Sequence, residues 1–424
     1  MSDKKRVLVI GGGIAGSTVA RQLAQAGQQV HLIEKQSAIG GRVTEMGCKA
    51  AETCLRCNVC VADQLLRNVA VSENIKIHTR TELAKLDTGS NGSLYTATLK
   101  HEPNFIDREK CTGCRACVDA CPEKCITIPA MATPPVVPIL NYSSCRMAAG
   151  KNCSICSQAC PVGAINMKDK SSQTELDLDA VVVATGYEPY NPAENASYGY
   201  GSASNIITGI EAEKQLADST QITRPSDGQT PKRIAFIQCV GSRSELNHRR
   251  PEDTDYCSTV CCAYALRMAR LLKHKCPDAQ LTIFYMDIQN FGKGFNEFYN
   301  KCKDSMTFVR SRPYELTQGT NGTVIIKYVP QALQEDADSQ LCREEFDLAV
   351  LAVGMRPNPD TTKLAEKLLV PVDEYGFFGL KNASALPELQ HKGIFTAGAC
   401  ESPKDIQACM AQAEAVSAAI LSDY

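Results

Sequence analysis

The sequence lacks an excess of charge of either sign. It contains 45 lysine and arginine residues against 47 aspartate and glutamate residues, which gives a formal net charge of −2. Proteins that bind nucleic acid usually concentrate basic residues into a strongly positive surface. The near balance of charge therefore argues against a nucleic-acid partner and favours a soluble protein that docks on other proteins.

Long apolar runs are also missing. The first five residues lead directly into the apolar segment Arg6–Ile10, and no stretch is long enough for a signal peptide. No later segment approaches the roughly 20 consecutive apolar residues that a membrane-spanning helix needs. We therefore expect a cytoplasmic protein whose association with a membrane is made through partner subunits.

Cysteine, by contrast, is abundant, with 22 residues in a chain of 424. Disulfides are rare in the reducing cytosol, so disulfide bonding does not explain this number. Iron–sulfur clusters are preferentially bound by soft thiolate ligands. Metal clusters are therefore the leading explanation for most of the cysteines.

The order of predicted elements indicates an α/β protein with a doubly wound sheet. Arg6–Ile10 is predicted to be a strand, residues 11–16 a glycine turn, residues 17–26 a helix, and Gln29–Glu34 the next strand. This is the opening βαβ unit of a nucleotide-binding domain. The chain length fits two or three domains with room for a cofactor between them.

A cysteine-dense block interrupts the first domain, and a second sheet follows. We predict an α/β, thioredoxin-reductase-like flavoprotein with two dinucleotide-binding domains and an inserted ferredoxin-like segment. The second sheet is predicted from residues 233–239, 280–286, 323–328 and 347–354. The predicted boundaries are 1–100 for the first part of the FAD-binding domain, 101–170 for the ferredoxin-like insert, 171–230 for the second part of the FAD-binding domain and a linker, 231–356 for a degenerate nucleotide-binding-type domain, and 357–424 for the C-terminal part of the FAD-binding domain.

The first glycine turn predicts a dinucleotide site. Gly11, Gly13 and Gly16 form G-x-G-x-x-G between a strand and a helix. These glycines allow a tight turn and a close approach to a pyrophosphate, whose charge is held by the amides at the helix N-terminus. Glu34 ends the next strand and is placed to accept hydrogen bonds from ribose hydroxyls.

Three further features favour FAD over NAD, because they resemble segments of two-domain flavoproteins. They are Gly41 and Arg42 after the acidic residue, a second glycine turn at Ala184, Thr185 and Gly186, and Gly398 ahead of a helix that begins near Asp405. We expect the amino end of that helix to face the flavin ring and to stabilise negative charge on the reduced flavin.

Two cysteine runs predict two [4Fe–4S] clusters. The first run is C-x2-C-x2-C-x3-C-P, in which the fourth cysteine conventionally serves the other cluster; the second run lengthens the first spacing to seven residues. A zinc site is the alternative for any cysteine quartet, but two interlocked runs with trailing prolines favour clusters. The predicted ligands are Cys111, Cys114, Cys117 and Cys160 for one cluster, and Cys121, Cys145, Cys153 and Cys156 for the other.

Two more cysteine groups have ligand-like spacing without the ferredoxin pattern. They are Cys54, Cys57 and Cys60, and Cys257, Cys261 and Cys262. They predict either a third cluster near the flavin, with ligands from one or both groups, or free thiols. Cys239 ends the first strand of the second domain and is a candidate either for a flavin neighbour or for a buried thiol. Cys125 and Cys409 are expected to be structural.

Several segments resemble the A subunit of heterodisulfide reductases. They include the ferredoxin-like insert, residues 54–60, the sequence QCVGSR at 238–243, YCSTVCC at 256–262, and FGKG at 291–294. The likeness covers nearly the whole chain. It implies an oxidoreductase subunit that carries FAD and iron–sulfur clusters within a larger complex.

As a short form with no second ferredoxin module, the chain looks most like the A subunit of the quinone-interacting membrane-bound oxidoreductase of sulfate reducers. That resemblance implies transfer of electrons between the quinone pool and cytoplasmic adenylylsulfate reductase. The implied partners are adenylylsulfate reductase itself, a second flavin and iron–sulfur subunit, and a membrane quinone-reactive subunit.

Two other functions stay open. One is an electron-bifurcating subunit of a heterodisulfide reductase complex. The other is a self-contained NAD(P)H-dependent disulfide reductase. Against the second, residues 238–243 stand where G-x-G-x-x-G would be expected, and only Gly241 is left to permit close approach of a pyrophosphate.

Overall fold

The computed structural model describes residues 4–89, 92–128, 136–219, 221–244, 254–330, 341–381 and 388–423. All the site residues predicted above lie within these ranges. The strands are β1 Arg6–Ile10, β2 Gln29–Glu34, β3 Ile75–Thr79, β4 Thr81–Thr88, β5 Tyr95–His101, β6 Ile126–Thr127, β7 Ile139–Leu140, β8 Ser172–Leu178, β9 Ala180–Val183, β10 Tyr187–Pro189, β11 Ile206–Thr208, β12 Arg233–Val240, β13 Gln280–Tyr285, β14 Thr307–Arg310, β15 Glu315–Gln318, β16 Val324–Tyr328, β17 Cys342–Phe346, β18 Leu348–Val353, β19 Met355–Pro357 and β20 Ile394–Thr396.

The helices lie mainly between these strands. None of those within the described ranges combines the length and the apolar character that a bilayer crossing requires. The α-helices are α1 Ile14–Gln25, α2 Val61–Ala70, α3 Ala116–Ala120, α4 Ile155–Ala159, α5 Gly209–Asp218, α6 Cys261–Lys275, α7 Phe295–Lys303, α8 Thr361–Leu368 and α9 Ile406–Asp423, and a 3-10 helix spans Gly41–Glu45.

The first sheet is parallel and has the strand order β20-β9-β1-β2-β3. All four residues of β9 are buried, as expected for a parallel strand that is covered on both faces. The register pairs Val7 with Ala180 and Arg6 with Gln29. The carboxyl ends of β1, β2 and β9 therefore meet at one edge, where ligands bind in such sheets.

The second sheet, β11-β18-β12-β13-β14, is also parallel, but it differs from the prediction in three strands, because the prediction omits β11 and β14 and includes a strand that lies elsewhere. The predicted strand at 323–328 forms β16 of a separate antiparallel sheet, β15-β16-β17, because the tight turn closed by Gly319 N and Thr323 O at 2.7 Å makes β15 and β16 a hairpin. The edge strand β11 comes from the segment 171–230, which the sequence analysis assigns to the first domain and linker.

The two units repeat one plan. In each, an opening strand (β1 or β12) leads through a turn into a helix, and a three-stranded antiparallel sheet (β4-β5-β8 or β15-β16-β17) precedes the returning buried strand (β9 or β18). The opening and returning strands are neighbours in both sheets. The turns after β1 and β12 are therefore structurally equivalent positions.

The cysteine-rich insert lies between β5 and β8. It holds the short helices α3 and α4, which pack together, and the antiparallel pair β6 and β7. Phe105 stacks on Tyr142 with ring centroids 4.6 Å apart. Four cysteines belong to its small buried core: Cys117, Cys125, Cys145 and Cys156.

Candidate functional site

A cavity of ≈ 1560 Å³ lies between the first glycine turn and the second unit. Sites for drug-sized ligands usually enclose about 300–1000 Å³, so this one has room for a dinucleotide. Its walls come from the glycine turn, the 3-10 helix Gly41–Glu45, and the starts of α6 and α9.

A side chain would fit at the glycine of this turn that faces the cavity, but not at the two glycines that face the protein interior. Gly11 has φ +106°, and a Cβ there would lie 2.4 Å from the carbonyl oxygen of Ala184. A Cβ on Gly16 would lie 2.0 Å from the carbonyl oxygen of Gly11, whereas one on Gly13 would meet nothing within 4 Å. Gly13 borders the cavity just before α1 begins at Ile14, so the helix N-terminus is open to an anionic group.

Glu34 lies in the cavity wall and is 9% exposed. Its Oε2 accepts a hydrogen bond from Gly12 N at 2.8 Å, and its Oε1 accepts one from Gln36 N at 2.8 Å. These bonds fix the carboxylate beside the glycine turn. Each oxygen retains a lone pair with which it can accept a ribose hydroxyl.

Gly41 and Arg42 close the cavity beside the turn. Gly40 N donates to Gly12 O at 2.7 Å, and a Cβ on Gly41 would lie 3.2 Å from Gly13 Cα. The Arg42 guanidinium donates to Glu188 Oε2 at 2.6 Å and to Tyr187 O at 3.1 Å. Arg42 thus ties the cavity wall to β10.

The second glycine turn carries an unsatisfied polar atom. Ala184, Thr185 and Gly186 all line the cavity. Thr185 Oγ1 is buried, and it has no hydrogen-bond partner within the described part of the chain. Buried polar atoms are nearly always paired, so a bound cofactor fits this position.

The amino end of α9 borders the same cavity, together with Asp405. Asp405 Oδ1 accepts from Ala408 N at 2.8 Å, which is a helix-capping contact. Gly398, with φ +82°, donates its N–H to Gln412 Oε1 at 2.8 Å. A Cβ on Gly398 would lie 2.7 Å from Ala15 Cβ, so this glycine lets β20 pass close to α1.

The equivalent turn after β12 is filled. Gly241 has φ +73°, and a Cβ there would lie 2.2 Å from the Tyr190 ring, which is 1% exposed. Arg243 donates two hydrogen bonds to the carboxylate of Asp287, one of them 3.0 Å long, and this lowers the pKa of Asp287. Asp287 lies just beyond β13, where a nucleotide-binding domain places its ribose acceptor. Both the pyrophosphate and the ribose positions are occupied by the chain itself.

The first set of predicted cluster cysteines lies together in the insert. Burial raises the pKa of the Cys117 thiol to about 11, and charge on three neighbouring thiols adds to this rise: Cys111, Cys160 and Cys114. Ala164 N donates to Cys160 Sγ at 3.2 Å. The four thiols that the spacing assigns to one cluster are therefore neighbours in the fold.

In the second set, three thiols interact directly, and the fourth, Cys121, is linked to them through Cys125. Burial raises the pKa of Cys156, and the charges of Cys145 and Cys153 contribute. Cys121 Sγ lies 3.5 Å from Cys125 Sγ. Cys125 also interacts with Cys145. Cys125 therefore lies among the cysteines of the second set, although the sequence spacing does not assign it as a ligand.

The cysteines of the second unit converge near α6. Burial raises the pKa of Cys261 well above its ordinary value, and charge on three other thiols adds to the effect: Cys239, Cys262 and Cys257. Cys239 has a left-handed backbone with φ +59° at the bulge that ends β12. It interacts with the other cysteines of this group, and among the described residues it is not one that lines the cavity.

Cys54, Cys57 and Cys60 lie before α2, and Cys57 lines the cavity. Arg56 N donates to Cys54 Sγ at 3.4 Å, and Arg56 has φ +52°. In the second unit, Thr259 N donates to Cys257 Sγ with the same length and Thr259 has φ +59°. Among the residues that the structure describes, no three metal-binding side chains surround a point where a single ion would sit.

Among the cavity residues that sequence reasoning missed, three polar ones lie together. Lys49 and Glu213 form an ion pair in the cavity wall, and Tyr264 lines the cavity beside them. No motif marks them, because each comes from a different segment and only the fold joins them. Cys409, which we expected to be structural, also lines the cavity.

Two family models match parts of the chain. Residues 9–49 match the NAD(P)-binding Rossmann-like domain, and residues 102–123 match the 4Fe-4S binding domain. The first includes the glycine turn and Glu34, and the second includes the first ferredoxin-type cysteine run.

Curated relatives match almost the whole chain. The A subunit of the H(2):CoB-CoM heterodisulfide,ferredoxin reductase of Methanothermobacter thermautotrophicus is 33% identical over 99% of this chain and 64% of the relative. The iron-sulfur A 2 subunit of the CoB--CoM heterodisulfide reductase of Methanopyrus kandleri is 36% identical over 97% of this chain and 63% of the relative. The chain thus spans less than two thirds of the length of these relatives.

Among solved structures, the thioredoxin reductase of T. acidophilum matches with a TM-score of 0.52 and 12% identity, covering 99% of both chains. Lactococcus lactis thioredoxin reductase matches with the same TM-score and 12% identity, covering 99% of this chain and 98% of the other. These likenesses confirm the predicted thioredoxin-reductase-like α/β fold.

Proposed function

Since the chain is a relative of the A subunit of heterodisulfide reductases, we propose that it is an oxidoreductase subunit that transfers electrons through FAD and iron–sulfur clusters within a larger complex. One observation carries the proposal. The cavity beside the dinucleotide turn is bordered by Cys57, by Thr259 of the second cysteine group, and by Ile139 of the ferredoxin-like insert. A redox cofactor held there would have cysteine-rich segments on several sides.

FAD is the cofactor that we propose for the cavity. Its pyrophosphate would meet Gly13 and the start of α1, and Glu34 would accept from a ribose. The Thr185 hydroxyl, which has no hydrogen-bond partner among the described residues, and the amino end of α9 would face the remainder of the cofactor. When bound, FAD would supply the chemistry for both two-electron and one-electron transfer, while the residues of the chain would bind and orient it and set the charge around it.

We propose two [4Fe–4S] clusters in the insert, with the ligand sets predicted from the sequence. The support is that the four thiols of the first set influence one another, as do Cys145, Cys153 and Cys156 of the second set, while Cys121 lies against Cys125, which interacts with Cys145. The hydrogen bond from Ala164 N to Cys160 Sγ is of the kind that stabilises cluster thiolates and tunes their potential.

A third cluster is proposed at Cys257, Cys261 and Cys262, with Cys239 as the candidate fourth ligand. These four thiols influence one another next to the cavity, and all but the partly exposed Cys257 are buried. Cys54, Cys57 and Cys60 are more exposed, and they are proposed as ligands that require either a partner protein or a fourth ligand such as Cys48.

Of the functions left open by the sequence, the relatives favour electron bifurcation. The name of the Methanothermobacter thermautotrophicus relative gives one donor, H2, and two acceptors, a heterodisulfide and ferredoxin. Cysteine segments on different sides of one cavity would suit two electron routes. The quinone pool, adenylylsulfate reductase and attachment to a membrane through partners stay predictions from the resemblance alone.

The test is an anaerobic redox titration of the purified protein with iron analysis. Two clusters require about eight iron atoms per chain and a third raises this to about twelve. Bifurcation predicts that the flavin takes up both electrons in a single step, with no separated one-electron stage. Iron near four atoms per chain would contradict the two-cluster proposal, and two well-separated one-electron steps would contradict bifurcation.

A further inference from the structure

A buried ion pair lies in the wall of the cofactor cavity. Lys49 Nζ bonds to Glu213 Oε1, and the side chains are 5% and 10% exposed. Lys49 follows the 3-10 helix of the first unit, whereas Glu213 is on α5 after β11 of the second sheet. The pair therefore joins the two units across the cavity.

Stability alone does not account for this pair. Removing two charges from water costs several kcal/mol per ion, and apolar residues of similar size are often at least as stabilising. Few other groups offset the cost: Gly47 N donates to Glu213 Oε1 at 3.3 Å, and Lys49 Nζ donates to Gly47 O at 3.4 Å. Both residues line the cavity, so their charges can act on the charge of a bound ligand.

A third group stands beside the pair. The Tyr264 hydroxyl is buried and has no hydrogen-bond partner within the described part of the chain. Burial raises the pKa of Tyr264 well above 10, with a contribution from Glu213. The hydroxyl is therefore a protonated donor at neutral pH that a cavity ligand would satisfy.

Resting on the proposed function, we propose that Lys49 and Glu213 set the reduction potential of the bound flavin by opposing charges, with the Tyr264 hydroxyl as a hydrogen-bond donor. Uptake of two electrons from a reduced iron–sulfur protein and one proton from water adds one negative charge to FAD. The Lys49 ammonium favours that added charge and the Glu213 carboxylate opposes it. Reduction thus depends on the balance between them.

The proposal predicts shifts of opposite sign. Lys49→Met leaves the carboxylate unbalanced, so it should lower the two-electron potential by at least a tenfold change in equilibrium, about 30 mV. Glu213→Gln leaves the ammonium unbalanced and should raise the potential by a similar amount. The Lys49→Met/Glu213→Leu double variant replaces both charges by apolar groups and should lie between the two. Lys327→Met is the matched control, because Lys327 pairs with Glu315 at a half-exposed site on β16, and it should leave the potential unchanged.

The measurement is an anaerobic titration of each variant that follows flavin absorbance, with FAD content determined first. Shifts of the same sign, or none, in variants that retain FAD would overturn the inference. If a single variant does not fold, Tyr264→Phe replaces it; a lower potential supports the inference and an unchanged one contradicts it. A wild-type protein without FAD would instead contradict the proposed function.

Discussion

The turns after β1 and β12 occupy equivalent places in two units with the same plan, yet they present different surfaces. At the first turn, the space next to Gly13 is open and the acidic residue Glu34 borders the cavity. At the second, the Tyr190 ring covers Gly241, and Arg243 holds the acidic residue Asp287. Retention of the fold therefore does not imply retention of the nucleotide site.

The largest effect should come from Gly13→Ala. A Cβ there meets no protein atom within 4 Å, so the chain should fold, but the methyl group enters the space that the pyrophosphate needs. We expect loss of stoichiometric FAD with the cluster iron retained, measured by absorbance and iron analysis. A variant that keeps one FAD per chain would show that the flavin binds elsewhere.

Cys261→Ala tests whether an iron–sulfur cluster is bound beside the turn after β12, where the first unit has its nucleotide site. Cys261 is buried next to three other cysteines, so its removal should release about four iron atoms. FAD and the ferredoxin-type clusters should remain. Cys276→Ala, at the carboxyl end of α6, is the control and should leave the iron content unchanged. Unchanged iron content in Cys261→Ala would contradict a cluster at this position.

Gly241→Ala should show the reverse pattern to Gly13→Ala. Its Cβ would lie 2.2 Å from the buried Tyr190 ring, at a backbone φ of +73°. Overpacking costs about 1–3 kcal/mol and the left-handed conformation adds about 1 kcal/mol. Denaturant unfolding should show a lower free energy of unfolding for the variant, while FAD binding persists. A variant as stable as the wild type would contradict the claim that the Tyr190 ring fills the turn.

The smallest expected effect is on the pH dependence of stability, and it comes from the histidines at the β2–β3 edge of the first sheet. His31 stacks on His78 in the first unit, whereas Tyr285 contacts Phe308 at the matching edge of the second. Burial lowers the pKa of His78 to about 3, and it lowers the pKa of His31 and His101 as well. Because the unfolded chain binds protons more readily, stability should fall as pH drops below about 6.5.

Hydrogen exchange at pH 7.5 and 5 should therefore show the first unit loosening before the second. His78→Gln removes the most strongly shifted group and should reduce this acid sensitivity. If hydrogen exchange increased equally in both units at pH 5, or if His78→Gln left the pH dependence unchanged, the histidines would not explain a difference in acid sensitivity between the units.

Local motifs allowed much of the site to be predicted. Gly11 to Gly16, Glu34 and the cysteine runs carry their chemistry in short spacings, and the structure places them at one cavity or in one insert. Contacts between distant segments could not be predicted from the sequence. Tyr190 lies against Gly241, and Lys49 pairs with Glu213, only because the fold brings these segments together. The strand β11 has three residues, too few for a periodic signal.

We propose that the described residues of the second unit form no nicotinamide site, and that electrons enter and leave through protein partners. The direct test is anaerobic mixing of the purified, FAD-containing protein with NADH or NADPH while flavin bleaching is followed, with dithionite as the positive control. We predict that dithionite bleaches the flavin and that neither nicotinamide does so within minutes. Full bleaching within seconds by either nucleotide would contradict the account and favour a self-contained reductase.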